Sequence, residues 1–369
     1  MLFLRPNKQF VRKNQMSVET AKVFQNFSTL ETLCFKAKNT LFLRQKQYSK
    51  HRSGKTRLRI KTKNNLQVLL YVIKKNSTFA AETKKLNMTD KIIKNQHFEG
   101  ERPLFESHKL RLEQVTIGDG ESAVKECSDI EAENCRFWGK YPFWHVHGLK
   151  IKNCQFDVGA RSALWYTDHL EMKDTRIDGP KMFREMHDMY LENVVINDAD
   201  ETFWRCRNIK AWNLELHEGT YPFMFCENVS INGLKSDSKY VFQYCKNVEI
   251  QNAHIVTKDS FWECENVTIV NSILDGEYLA WHSKNVRLIN CHLAGEQLLC
   301  YGDHIELENC TFDAACDRVF EYSDVHADIR GHIENIKNPS SGYIVADSIG
   351  SITIDQNIKQ PANCKIETR

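Results

Sequence analysis

Long apolar runs are missing from this chain of 369 residues. The longest near the N-terminus, Val68 to Ile73, falls far short of the ~20 residues a membrane helix needs. The opening MLFLRPNKQFVRKNQ meets charge at Arg5 and so lacks a signal peptide's apolar segment. No glycine-rich phosphate loop, G-x-S-x-G elbow or zinc motif occurs, and the Gly/Asp consensus of a calcium nonapeptide is missing too. His145 and His147 flank one residue, but no third ligand is evident from the sequence, so no metal and no cofactor is expected. The 13 cysteines form no C-x-x-C pair, and their odd number in a chain of this size fits a reducing compartment. The expectation is a soluble, cytoplasmic protein with no membrane partner.

Acidic residues are scarce at the start. Residues 1–87 hold 20 Lys/Arg against 3 Asp/Glu, a balance of +17. The other 282 residues hold 30 basic and 45 acidic side chains, a balance of −15, which disfavours nucleic acid as a partner of the body. Three readings fit residues 1–87: a basic arm for an anionic partner, a disordered tail, or upstream sequence ahead of a true start at Met88. The third is preferred, because the composition shifts abruptly at a methionine.

What is present is an echo: NVEIQNAHI from Asn247, NVTIVNSIL from Asn266 and NVRLINCHL from Asn285, 19 residues apart. Taking the first apolar residue of each echo as an anchor, twelve anchors run from Leu110 to Val325 at intervals of 19–21 residues. Anchor and anchor+2 are apolar with charge between, as in Val267 and Ile269, which is the alternation of a half-buried strand. Asn or Asp recurs at anchor+4 and at anchor−1, positions suited to sharp bends because these side chains tolerate left-handed backbone. A second short strand follows the first bend. A third has its inward residue at anchor−6, where Phe183, Phe203, Phe223, Phe242 and Phe261 stand in succession, with Cys206, Cys226, Cys245 and Cys264 at anchor−3. Leucine-rich repeats need Leu at consensus positions that this sequence does not keep, and helical repeats need longer units. The prediction is an all-β, right-handed, single-stranded parallel β-helix of about 12 coils, with three short strands per coil. Residues 88–109 are expected to cap it, 110–325 to form the coils, and 326–369 to make a last irregular coil and a C-terminal cap.

With these ladders in place, the body resembles the pectin-lyase-like superfamily of parallel β-helices. More closely, it is similar to a bacterial family named only as domain of unknown function 3737. The residues carrying that likeness are GERPLF (Gly100–Phe105), the NV-x-I/L-x-N coils and IKNPSSGYIVADSIG (Ile336–Gly350), across 88–369. The resemblance implies the fold and no catalytic residues.

Function in such a coil falls to outward side chains. The anchor−5 position reads Lys125, Trp144, Trp165, Arg184, Trp204, Met224, Gln243, Trp262, Trp281, Cys300 and Phe320, holding five of the seven tryptophans. Its neighbour at anchor−4 includes Glu126, His145, Tyr166, Glu185, Arg205, Phe225, Tyr244, Glu263, His282, Tyr301 and Glu321. If both point outward, they make an aromatic strip able to bind an oligosaccharide or polysaccharide by stacking rings on sugar faces, with Trp144, Trp165, Trp204, Trp262, Trp281, Tyr244 and His145 as contacts. The rival reading is a non-catalytic scaffold that uses the strip as a protein surface, as in a homodimer. Whether the protein is an enzyme is left open. A polysaccharide lyase would draw on Arg161, Arg184, Arg205 and Tyr166, with Glu185 nearby. A glycoside hydrolase would need two carboxyls at ~5 to ~9.5 Å, for which Glu277 and Glu296 in adjacent coils are candidates, although solvated charge explains that pair as well.

Overall fold

The structure, a computed structural model, describes residues 91–358 and 361–369. Segment 1–87 and its three readings therefore lie outside the described residues. No helix is found among the described residues, so none is long and apolar enough to cross a membrane. The strands pair in parallel, each with the segment one turn away, and wind into a β-solenoid of about 15 turns. The additional turns lie at the ends. Lys91–Lys94 and His97–Glu101, expected within the N-terminal cap, pair in register with His108–Glu113 and Thr116–Glu121. Beyond Val325, Ser341–Ala346 stacks on Asp324–Ile329 and is followed by Lys365–Thr368.

The first two expected strands run into one continuous strand in the central coils. Arg207–Leu216, Glu227–Ser236 and Lys246–Val256 are examples. In Arg207–Leu216, Ile209 and Ala211 face inward, then Leu214 and Leu216. The inward parity changes at Asn213, whose φ of 52° is left-handed. A regular strand alternates with a period of two, so one left-handed residue is what lets both halves face a single interior. Asparagine suits the position because its short amide tolerates that backbone. Outward residues between anchors carry opposite charges on neighbouring coils, such as Lys150 with Glu131 at 3.3 Å and Lys173 with Glu192 at 3.3 Å. These make a solvated face. In the variable turn the close approach of coils demands glycine: a Cβ on Gly276 (φ 151°) would lie 1.4 Å from Thr257 O.

The third stretch is strand only at Leu164–Trp165 and Phe183–Arg184. From Phe203 onward alternate residues are left-handed, as at Tyr221, Phe223 and Phe225 (φ 58°, 62° and 59°). Its amides still bond neighbouring turns: Phe223 N donates to Thr202 O of the preceding turn and Phe225 N to Gln243 O of the next. The inward side chain is therefore kept in column although the backbone is not β.

Column packing fills the interior. The rings of Phe183, Phe203, Phe223, Phe242 and Phe261 stack at centroid distances of 4.6, 4.3, 4.4 and 4.9 Å. Beside them the thiols of Cys226, Cys245 and Cys264 donate to Phe203 O, Phe223 O and Phe242 O. Burial pushes the Cys226 and Cys264 thiols well above their ordinary range, and a thiolate on Cys245 would face the Phe223 carbonyl at 2.7 Å, so the ladder stays protonated. Ser283 and Ser323 occupy the same slot and bond Phe261 O and Leu299 O at 2.6 Å. Cys245→Ser should accordingly change the unfolding free energy by no more than about 1 kcal/mol. Cys245→Ala, which strips Phe223 O of its donor, should cost about 1–3 kcal/mol in denaturant titrations.

Candidate functional site

The inward residue of the third stretch sets the direction of its successor. With Phe143, Leu164, Phe183 and Phe203 buried, the next residue in each coil, Trp144, Trp165, Arg184 and Trp204, turns to the outer wall and is half-buried. The register is direct: Trp165 pairs with Arg184, and Arg184 with Trp204. The side chains form one stack. Trp144 and Trp165 lie 5.2 Å apart, and the Arg184 guanidinium sits 4.5 Å from the Trp165 ring and 5.3 Å from that of Trp204. Lys125 Nζ closes the other end, 5.8 Å from Trp144. Coil spacing and aromatic stacking distance are nearly equal, so the column uses up its own ring faces. What the indoles offer outward is edges, not the open platforms expected for sugar stacking. Trp165 Nε1 donates to Lys181 O at 2.7 Å and Trp281 Nε1 to Gln297 O at 2.6 Å, so these rings are fixed.

Beside this stack lies a cleft of about 490 Å³ lined by Trp144, Trp165, Tyr141, Ser122, Ser162, Arg102, Lys125, Arg161, Lys181, Arg184, Glu121 and Glu201. Five cations against two carboxylates leave a net of three positive charges, in a body that is acidic as a whole. Glu201 is held by Lys181 at 2.9 Å and Arg184 at 3.0 Å. Arg161 and Lys125 have no ion pair among the described residues, and Arg184 Nε is buried with no hydrogen-bond partner. The cleft thus holds uncommitted donors on a rigid wall.

The remaining expected residues are distributed more widely. Tyr166 is exposed beside Trp144 and His145, at 5.7 and 5.5 Å. His145 Nδ1 lies 3.2 Å from Glu126. Arg205 stands over Phe225 at 5.6 Å, and neither it nor the exposed Glu185 lines the cleft. Phe225 and Tyr244 stack on each other at 5.1 Å. Trp262 and Trp281 form a second aromatic group, 6.1 Å apart, with Tyr301 5.1 Å from Trp281. Between the two groups Gln243 is buried, its amide bonded to Asp259 O, which divides the strip. Glu277 and Glu296 are exposed and each has a cation, Lys258 at 3.2 Å and Arg318 at 2.7 Å. At the coil that leads to Val325 the phase slips by one residue: Phe320, read as outward, is fully buried, and Phe320 N bonds Leu298 O as Leu299 N bonds Leu279 O. Phe fills the interior slot better than Val319 alone, and Glu321 moves into the tryptophan column, 3.1 Å from Lys337.

Sequence reading missed Tyr141, Ser162, Lys181 and Glu201. They share the anchor−8 phase, in the same column as Tyr221, Tyr240 and Tyr278, all left-handed. A second periodic column was there to be read, hidden because it falls in the variable turn.

No curated protein matches the chain by sequence. Among solved structures it is similar to a mutant tailspike protein of E. coli bacteriophage HK620 in complex with a hexasaccharide. The identity is 9%, covering 74% of this chain and 58% of that one, with a TM-score of 0.27; this chain therefore spans little more than half of the tailspike. A mutant periplasmic alginate epimerase, AlgG, shares 11% identity over 75% of this chain and 76% of its own, with a TM-score of 0.24. PfbA, a surface adhesin of Streptococcus pneumoniae, shares 9% over 75% and 83%, with a TM-score of 0.26. Residues 91–367 match the family described as a protein of unknown function, DUF3737, and the chain belongs to that family.

Proposed function

We propose that the solenoid binds an acidic oligosaccharide in the cleft beside Trp144 and Trp165. The observation that carries this reading is the donor set: Arg161 and Lys125 without ion pairs among the described residues and Arg184 with a buried Nε that has no partner among them, on a wall that also bears Ser122, Ser162 and Tyr141 hydroxyls. Arginine and lysine suit a carboxylate or sulfate group. Glu121, which has no ion pair among the described residues, needs a hydroxyl donor, so a polyanion without hydroxyls fits less well. A sugar acid supplies both. The free thiols of the described cysteines support a reducing compartment such as the cytoplasm.

On a glycan array carrying neutral and acidic oligosaccharides, binding should be confined to acidic ones and should weaken as salt is raised. Arg161→Ala should reduce affinity about 10-fold or more, since a charged hydrogen bond contributes about 1.5–3 kcal/mol, and Trp165→Ala, which removes the ring that the Arg184 guanidinium stands over, should weaken binding as well. Binding to neutral glycans alone overturns the acidic assignment. No glycan binding, together with a dimer in light scattering that Trp165→Ala dissociates, overturns the reading in favour of a protein-interaction surface.

A further inference from the structure

Around the corner from the cleft, a column of three residues stands in direct register on successive turns: His147, Asp168 and His187. His169 lies beside it. His187 Nε2 is 3.7 Å from Asp168 Oδ2, and His169 Nδ1 is 3.4 Å from Asp168 Oδ1. The ligand atoms of Asp168, His169 and His187 all lie within 4.8 Å of one another. We infer that these three side chains bind a divalent transition-metal ion, a site independent of the saccharide cleft.

The surrounding bonds point the same way. His187 Nδ1 lies 2.9 Å from Asp188 Oδ2, and Asp188 Oδ1 accepts from Asn208 at 2.8 Å. Asp188 is an acceptor only, so it places the imidazole proton on Nδ1 and leaves the Nε2 lone pair facing Asp168. A lone pair and a carboxylate oxygen facing each other call for a cation between them. A carboxylate behind a ligating histidine is the usual outer shell of a metal site, and it fixes both ring orientation and tautomer. His147 Nδ1, 2.9 Å from Asp168 Oδ2, steadies the carboxylate ligand. Two imidazoles and one carboxylate, with room for water, suit Zn²⁺ or a similar ion. Sequence spacing hid the set because His187 sits 19 residues beyond Asp168 and 18 beyond His169, with no local metal motif.

Equilibrium dialysis of the full chain, without an affinity tag, against Zn²⁺ should find one ion bound at neutral pH. His187→Ala and His169→Gln should abolish that binding, and Asp188→Ala should weaken it about 10- to 100-fold. His217→Ala, a half-buried histidine paired elsewhere with Asp237, should leave it unchanged. With Co²⁺ the spectrum should lack the near-ultraviolet thiolate charge-transfer band, which separates this site from the cysteines. Thermal unfolding of each variant without metal checks that the coils are intact. No stoichiometric Zn²⁺, or Zn²⁺ retained by both histidine variants, overturns the site and leaves an ion-pair ladder in its place.

Discussion

Phe223→Ala should lower the unfolding free energy by about 3–5 kcal/mol, the usual range for truncating a buried aromatic. The side chain is fully buried, and it lies between two rings: Phe203 at 4.3 Å and 1°, Phe242 at 4.4 Å and 12°. Removing it leaves a void at the middle of the column and unstacks both neighbours, each pair contributing about 0.5–1.5 kcal/mol beyond area burial. The backbone cannot close the gap, because the coil spacing is set by hydrogen bonds to the turns above and below. Phe223→Leu should cost much less, since Leu299 fills the same slot in another turn. In a solenoid each turn is held only by its neighbours, so the Ala variant should also unfold in a broader transition, the two halves no longer melting together. Denaturant titration followed by circular dichroism reads both quantities. A loss below about 1 kcal/mol for Phe223→Ala would mean that the ring column is not what holds the turns together.

The second large effect is expected on the surface. Asn266→Val should destabilise by about 2–4 kcal/mol, although Asn266 is exposed. Its amide donates to Asn247 Oδ1 at 2.9 Å and accepts from Asn285 at 2.9 Å, and its φ is 60°. A β-branched residue is strained there and makes neither bond. Asn266→Gly separates the two contributions: it keeps the backbone and loses only the bonds, so about 1–2 kcal/mol is expected. The ladder also has a direction. Asp188 at its base can only accept, so Asn208, Asn228, Asn247, Asn266 and Asn285 each point the amide nitrogen toward the preceding turn. Asn266→Asp therefore keeps the bond from Asn285 but sets a carboxylate against Asn247 Oδ1, and it should fall between Gly and Val. Equal stability of Gly and Val variants would show that the left-handed backbone is not a constraint at this turn.

The expected aromatic strip illustrates how phase and chemistry part company. The column positions of Trp144, Trp165, Arg184 and Trp204 come from spacing alone, and they stack as a column. Their use does not come from spacing. Side chains directly above one another consume each other's faces, so the wall is rigid and presents edges. The donors that matter for a ligand come partly from the turn, at Arg161 and Lys181, where sequence variability conceals the column. Glu277 and Glu296 show the converse case, a pair that spacing brings to adjacent turns but whose nearest cations, Lys258 and Arg318, account for both.

The winding of this chain was determined locally. An apolar pair, a left-handed Asn and a second apolar pair, repeated every 19–21 residues, admit one backbone course, because each turn can bury its apolar side only against the next. The number of turns at the ends, the slip that buries Phe320, the faces left open on the tryptophans and the convergence of Asp168, His169 and His187 were decided by the stacked structure. The physical reason is range: alternation and bend residues act between neighbours in sequence, whereas ligand atoms, ring faces and unpaired charges are set between residues about twenty apart that meet only once the turns close.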